Sequence, residues 1–218
     1  MKAVILTCRT IEDEIRYVLN EENLDFPVIL MEAGLHEKPD NLKKALQEMI
    51  DRLSNVEFIL LGYALCGNGL LGLTSKNATL VLPQYHDCIA MLLGSEERYR
   101  ANLGSEMGAF FLTGGWLKHF NPKQKFYEVM LSKLGHEKAL KLAKRTLANY
   151  KRFALVETEA DDIDVSFQEM SEQVKFFDLE TYRMQGTLDV LRRFVKGEWN
   201  EKFQVVPPGQ KTELWNLL

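Results

Sequence analysis

Short, continuously apolar segments alternating with helix-spaced ones constrain this chain most. Ala3–Leu6, Val28–Met31, Glu57–Leu61 and Thr79–Leu82 carry too little polarity to leave a sheet face in water, the pattern of strands covered on both sides. Between them, Ile11, Ile15, Val18 and Leu19 recur at helical spacing, and Asn41–Leu53 sets Leu42, Ala45, Leu46, Met49, Ile50 and Leu53 along one side. Further strands are expected at Ala109–Leu112, Arg152–Glu157, Val174–Phe177 and Phe203–Val206. Helix is expected over Lys123–Tyr150, with a break at Gly135, and at about 163–172 and 183–196. The alternation predicts an α/β fold of Rossmann-like layers with a largely parallel sheet. At 218 residues this is one α/β unit, divisible into lobes of about 1–105 and 106–218, with the crossing near 100–125.

Charge and targeting signals narrow the setting. Lysine and arginine (27) do not exceed aspartate and glutamate (31), so no global charge favours nucleic acid. No stretch approaches the ~18 consecutive apolar residues of a membrane helix. Arg9, Glu12, Asp13 and Glu14 follow the opening apolar run at once, unlike a secretory signal. The cytoplasm is the expected compartment, and its reducing poise keeps thiols free. Three cysteines are too few and too odd in number for a disulfide framework.

Where those cysteines fall is informative. Cys8 lies just past the first predicted strand, His36 past the second, Cys66 past the third, and His86 and Cys88 past the fourth. Ligands of open parallel sheets bind at the carboxyl ends of strands, so one shared site is expected. The competing reading is three small buried hydrophobes. In His86-Asp87-Cys88, residues two apart on extended chain point the same way and would converge on one metal ion. With Cys66 as third ligand and a fourth position open, the set matches catalytic zinc. Cys8 would be a fourth ligand or a nearby thiol, His36 a group supporting a metal ligand or a proton carrier, and Asp87 would point away from the metal or support one of its ligands.

Other motifs are weaker. Gly67, Gly69 and Gly72 match G-x-G-x-x-G, but on the third strand and with no acidic partner at the right distance. Gly67, Asn68 and Gly69 instead suggest a tight turn presenting Cys66, or a carboxylate or phosphate cradle if a helix follows. Ser95 reads as the N-cap of a helix carrying Arg98 and Tyr99, which would contact an anionic substrate or be a solvated arginine and a half-buried tyrosine. Trp116, after Gly114-Gly115, would close over a pocket or plug the core. His119 and His136 read as surface residues, and Glu157 and Glu159 as an acid or base from the second lobe. Asp161, Asp162 and Asp164 lack the spacing of a calcium loop and read as turn and cap residues.

Leu35-His36-Glu37-Lys38-Pro39, Tyr63-Ala64-Leu65-Cys66-Gly67-Asn68-Gly69, His86-Asp87-Cys88-Ile89, Leu93-Gly94-Ser95 and Leu112-Thr113-Gly114-Gly115-Trp116 together resemble the family catalogued as domain of unknown function 1638. The resemblance covers most of the chain, with its specific motifs within about residues 8–116. It implies an association with corrinoid-dependent methyl transfer in anaerobes, and so a corrinoid protein as partner. His86-x-Cys88 with a distant cysteine is also similar to the zinc motif of methylcobamide:thiol methyltransferases. Those enzymes are longer barrels, and here Cys66 precedes the pair, so the parallel extends to the ligand set alone.

Three readings follow. In the first, zinc on Cys66, His86 and Cys88 activates a small thiol or water for group transfer, methyl transfer being the sharper form. In the second, Cys8 and Cys66 act as an acid–base pair on a carbon acid, as in cofactor-independent racemases. In the third, the chain is a non-catalytic metal or corrinoid accessory protein. The sequence sets neither substrate nor oligomeric state.

Overall fold

A computed structural model of the chain describes residues 1–103 and 108–214. The apolar runs form strands: β1 (Ala3–Cys8), β2 (Val28–Met31), β3 (Phe58–Gly62), β4 (Thr79–Pro83), β5 (Ala109–Leu112), β6 (Arg152–Glu157), β7 (Glu180–Gln185) and β8 (Phe203–Val206). Five make one sheet in the order β2-β1-β3-β4-β8, parallel except for β8, which runs antiparallel to β4. The other three make a parallel sheet, β5-β6-β7. The fold is mixed α/β with largely parallel sheets.

Alternation along β1 shows why both faces of the larger sheet must be covered. Ile5 joins Leu60 and Val81 in one core, against Ile11, Ile15 and Val18 of the segment that becomes α1 (Glu12–Glu21). Val4 and Leu6 point the other way, with Ile59, Leu61, Leu80 and Leu82, onto Leu42, Leu46 and Ile50 of α2 (Pro39–Arg52). Each fully buried aliphatic side chain contributes about 1.5–3 kcal/mol of transfer free energy. The layers are therefore specified by a period of two in the strands and 3.6 in the helices.

After β4 the chain forms α3 (Cys88–Leu93) and α4 (Glu96–Leu103), then enters the second lobe. There α5 (Gly114–His119), α6 (Val129–Leu134), α7 (His136–Thr146) and α8 (Ile163–Val174) surround the smaller sheet. Phe153 and Leu155 lie within this lobe's own core, while Ala154 and Val156 face the core of the first lobe. The lobes thus share buried surface. Helix α9 (Asp189–Lys196) then returns to pack beside α1, and Arg192 reaches Glu21 at 2.7 Å.

The structure differs from the sequence expectation in three places. Val174–Phe177, expected as a strand, is the end of α8 and a 3-10 turn at Lys175–Phe177, because Met170, Val174 and Phe177 bury one side at helical spacing. The strand of this region is β7, which takes up the first residues of the helix expected at 183–196, so that helix begins only at Asp189. β7 is an edge strand with only Met184 buried, so it carries no apolar run. Finally, β8 belongs to the first sheet, so the chain crosses between the sheets twice rather than once. Among the described residues, no helix is long and apolar enough to cross a membrane.

Candidate functional site

Strand order reverses at β1, which is flanked by β2 on one side and β3 on the other. A crevice at such a switch point is where open parallel sheets bind ligands. Cys8 closes β1, and the buried Thr10 hydroxyl donates to its sulfur at 3.0 Å. Beside it, β3 ends at Gly62, where a Cβ would lie 2.6 Å from Thr7 Oγ1, and the Thr7 hydroxyl donates to the Gly62 carbonyl at 3.0 Å. Only glycine permits that approach, which brings Tyr63 and Cys66 alongside Cys8.

The turn after β3 is held in unusual backbone. Cys66, Gly67 and Asn68 have φ of 46°, 66° and 74°. For the two non-glycines this conformation costs on the order of 1 kcal/mol each. The turn is tied to the segment after β4: Leu65 N–H donates to the Tyr85 carbonyl at 2.9 Å and Cys66 N–H to the His86 carbonyl at 3.2 Å. Gly67 and Gly69 lie against Pro39 and Leu42 at the start of α2. Gly67 lines the cavity described below, whereas Asn68 and Gly69 do not.

His86-Asp87-Cys88 is not extended chain. Asp87 is the N-cap of α3, its Oδ1 accepting from Ala90 N–H at 2.9 Å, so Cys88 is already the first helical residue. The reason is local: an aspartate here satisfies a free helix N–H and so stabilises a helical start. The other Asp87 oxygen accepts from the Tyr99 hydroxyl at 2.5 Å, and His86 N–H donates to Glu96 Oε1 at 2.5 Å. Asp87 is thus committed to a cap and a tyrosine. Ser95 accepts from Arg98 N–H at 3.2 Å as the expected cap of α4. The Arg98 guanidinium donates to the carbonyls of Leu93 and Gln185 at 3.0 and 2.7 Å, tying α3 to β7. Neither Ser95 nor Arg98 lines the cavity.

Between the lobes lies a cavity of about 340 Å³. The first lobe contributes Cys8, His36, Tyr63, Cys66, Gly67, His86, Asp87 and Cys88, and the second contributes Phe110, Phe111, Trp116 and Tyr150. All three thiols, both rim histidines and Asp87 are therefore brought to one place. Trp116 is set by the Thr113 cap of α5, where Thr113 Oγ1 accepts from Trp116 N–H at 3.1 Å. Gly115 lets this turn lie against the first lobe, since a Cβ there would fall 2.2 Å from the Thr10 carbonyl oxygen. Tyr99 stacks on Phe111 with centroids 5.7 Å apart.

Electrostatics inside the cavity favour neutral groups. Burial, Asp87 and Cys8 push the Cys66 thiol up to about 12. Burial, Asp87 and the other two thiols push Cys88 up as well, with the Trp116 indole N–H partly offsetting them. Burial lowers His36, which leaves its ring a neutral donor or acceptor at pH 7. Burial and the three thiols raise Tyr63, and burial and Asp87 raise Tyr99.

Sequence reasoning located the thiols but missed Thr10, Tyr63 and the aromatic wall of Phe110, Phe111 and Tyr150. Tyr63 stands directly after the close-contact Gly62, which is a readable signal. The aromatic wall comes from another sheet, and no local spacing announces it. Glu14 was also missed: it lies on the apolar side of α1, with both carboxylate oxygens buried and unpartnered.

The donor set suits a soft metal, with three sulfurs and two imidazoles on one cavity. Among the described residues, no group of three or more His, Cys, Asp or Glu side chains is arranged as a metal-binding cluster. A family model described as a protein of unknown function (DUF1638) matches residues 30–195. No curated protein and no solved structure matches the chain.

Proposed function

The chain belongs to the DUF1638 family, and from its cavity we propose a soft-metal enzyme that activates a small thiol or water for group transfer between the lobes. One observation carries this reading: Cys8, Cys66 and Cys88, from the ends of three adjacent parallel strands, line a single cavity with His36 and His86. Cys66, His86 and Cys88 would hold the metal, with Cys8 beside them as fourth donor or reacting thiol. Zinc, when bound, would supply the positive charge that keeps a coordinated thiol or water deprotonated near neutral pH.

The chain's own residues supply the rest. Asp87 fixes the start of α3, and hence Cys88, through the Ala90 and Tyr99 hydrogen bonds. The Thr10 hydroxyl holds the Cys8 sulfur. His36, neutral and placed against Trp116, would carry the proton that leaves the activated group. The aromatic wall of Phe110, Phe111 and Trp116 would shield the reacting atoms on one side. Methyl transfer from a corrinoid partner is the form suggested by the family resemblance.

The two-cysteine acid–base reading is favoured by no observation. Cys8 and Cys66 rise from the same sheet edge, and the facing wall is aromatic, whereas a carbon acid must be reached from two sides. Metal analysis of anaerobically purified protein tests the proposal. About one zinc per chain, lost in Cys66→Ser and Cys88→Ser, is expected. Metal-free wild type, with no zinc uptake on titration, would overturn it.

A further inference from the structure

Two donors in this cavity lack an oxygen acceptor. Tyr63 is 3% exposed, and its hydroxyl is buried without a hydrogen-bond partner. The Trp116 indole N–H is buried and has no partner in hydrogen-bond geometry; the Cys88 sulfur that it influences is a weak acceptor. A buried donor left unpaired costs about 1–3 kcal/mol. Two of them on one cavity, from opposite lobes, form an arrangement that a ligand acceptor would complete.

The remaining lining states what kind of acceptor. It contains no lysine or arginine, and its one carboxylate is Asp87. A carboxylate or phosphate ligand would be buried beside Asp87 with no cationic side chain to offset it, and a zinc ion on the Cys66 and Cys88 thiolates would already have its charge balanced by them, so the placement is costly. A carbonyl oxygen has two lone pairs and no net charge, so it satisfies donors without that penalty. Ile11, Ile89, Phe110 and Phe111 give the cavity an apolar stretch of wall.

We propose that the cavity binds a neutral carbonyl compound with an apolar body, an amide, ester or ketone, whose carbonyl oxygen accepts from the Tyr63 hydroxyl and the Trp116 indole. The assignment deepens the proposed function by naming its substrate class. It rests on that reading's cavity but not on its metal. Tyr63 and Trp116 become specificity-determining residues, and because they stand on different lobes, ligand binding joins the two sides of the cleft.

The test uses the full-length chain labelled at its tryptophan indole nitrogens, with the Trp116 resonance identified by its absence from Trp116→Phe. Benzamide and benzoate are titrated in parallel, as probes with one body and either a neutral or a charged acceptor. Benzamide is expected to move the Trp116 resonance saturably at about millimolar concentration, with benzoate at least about tenfold weaker. Tyr63→Phe should weaken benzamide about fivefold, the loss of one hydrogen bond, while leaving the spectrum otherwise folded. Equal or tighter binding of benzoate, no saturable shift with benzamide, or unchanged affinity in Tyr63→Phe would each overturn the proposal. The probe comparison in wild type needs no variant to fold. Repeating it after chelator treatment separates the two readings: benzamide binding in protein that never takes up zinc sinks the metal alone, and zinc without benzamide binding sinks this inference alone.

Discussion

The His36 imidazole meets the Trp116 indole edge-on, with ring centroids 5.4 Å apart, one residue from each lobe. Both rings line the thiol cavity and also a neighbouring cavity of about 260 Å³. The pair stands between the two spaces, and burial keeps the imidazole below its ordinary range.

Removing the indole should therefore release His36. In Trp116→Ala, the His36 pKa is expected to rise toward its unperturbed value near about 6.5, because desolvation is the largest cause of its depression. Histidine ring titration by NMR checks this. A His36 pKa that stays depressed in the variant would place the desolvation elsewhere.

Glu14 gives the fold an acid-side preference. Its carboxyl is fully buried and unpartnered, and burial with Asp161 nearby raises it from 4.5 to about 8. Between those values the unfolded chain has released the proton and the folded chain has kept it, so stability falls as pH rises from about 4.5 to about 8, then levels. The slope is at most about 1.4 kcal/mol per pH unit. Urea unfolding across this range should show Glu14→Gln with a visibly flatter profile than wild type.

Gly115 fixes the junction of the lobes. A methyl group there would stand 2.2 Å from the Thr10 carbonyl oxygen, which is backbone and has little room to yield. Gly115→Ala is expected to destabilise by about 1–3 kcal/mol or more, read as a lower thermal midpoint. Gly135→Ala makes a useful control, since open space surrounds its Cβ position, although its φ of 74° adds some strain of its own.

Asp87 and Tyr99 should behave as one unit. Asp87→Ala removes a helix cap, worth about 1 kcal/mol, and strips the Tyr99 hydroxyl of its partner. Asp87→Asn keeps a capping oxygen and should be milder. A double-mutant cycle of Asp87→Ala with Tyr99→Phe should give a coupling of about 0.5–3 kcal/mol by denaturant unfolding. Additive effects would mean the 2.5 Å contact carries no energy.

The larger sheet was legible in the sequence because its central strands are buried on both sides, so Ala3–Leu6 and Leu80–Leu82 are uninterrupted apolar runs. The opposite case is β7: Glu180–Gln185 is an exposed edge with one buried residue, and nothing in its composition separates it from a polar helix. The thiols of the site could be gathered from sequence because each follows a strand of one parallel sheet, where topology alone delivers them to a common edge. The geometry of His86 and Cys88 could not. Whether Asp87 extends a chain or caps a helix depends on the Tyr99 hydroxyl twelve residues on and the helix it joins. The opposing wall needed the second sheet, whose placement is set by contacts such as Gly115 on Thr10.

The chain leaves the five-stranded sheet after β4 and re-enters it for β8, so the second lobe is inserted rather than appended. A body held by one tether can swivel in any direction, whereas a body held at two points turns about the line that joins them. Two connections and a shared core thereby fix how the second lobe faces the first. Trp116 is held opposite Tyr63 by the same two-point attachment that makes the lobe an insertion.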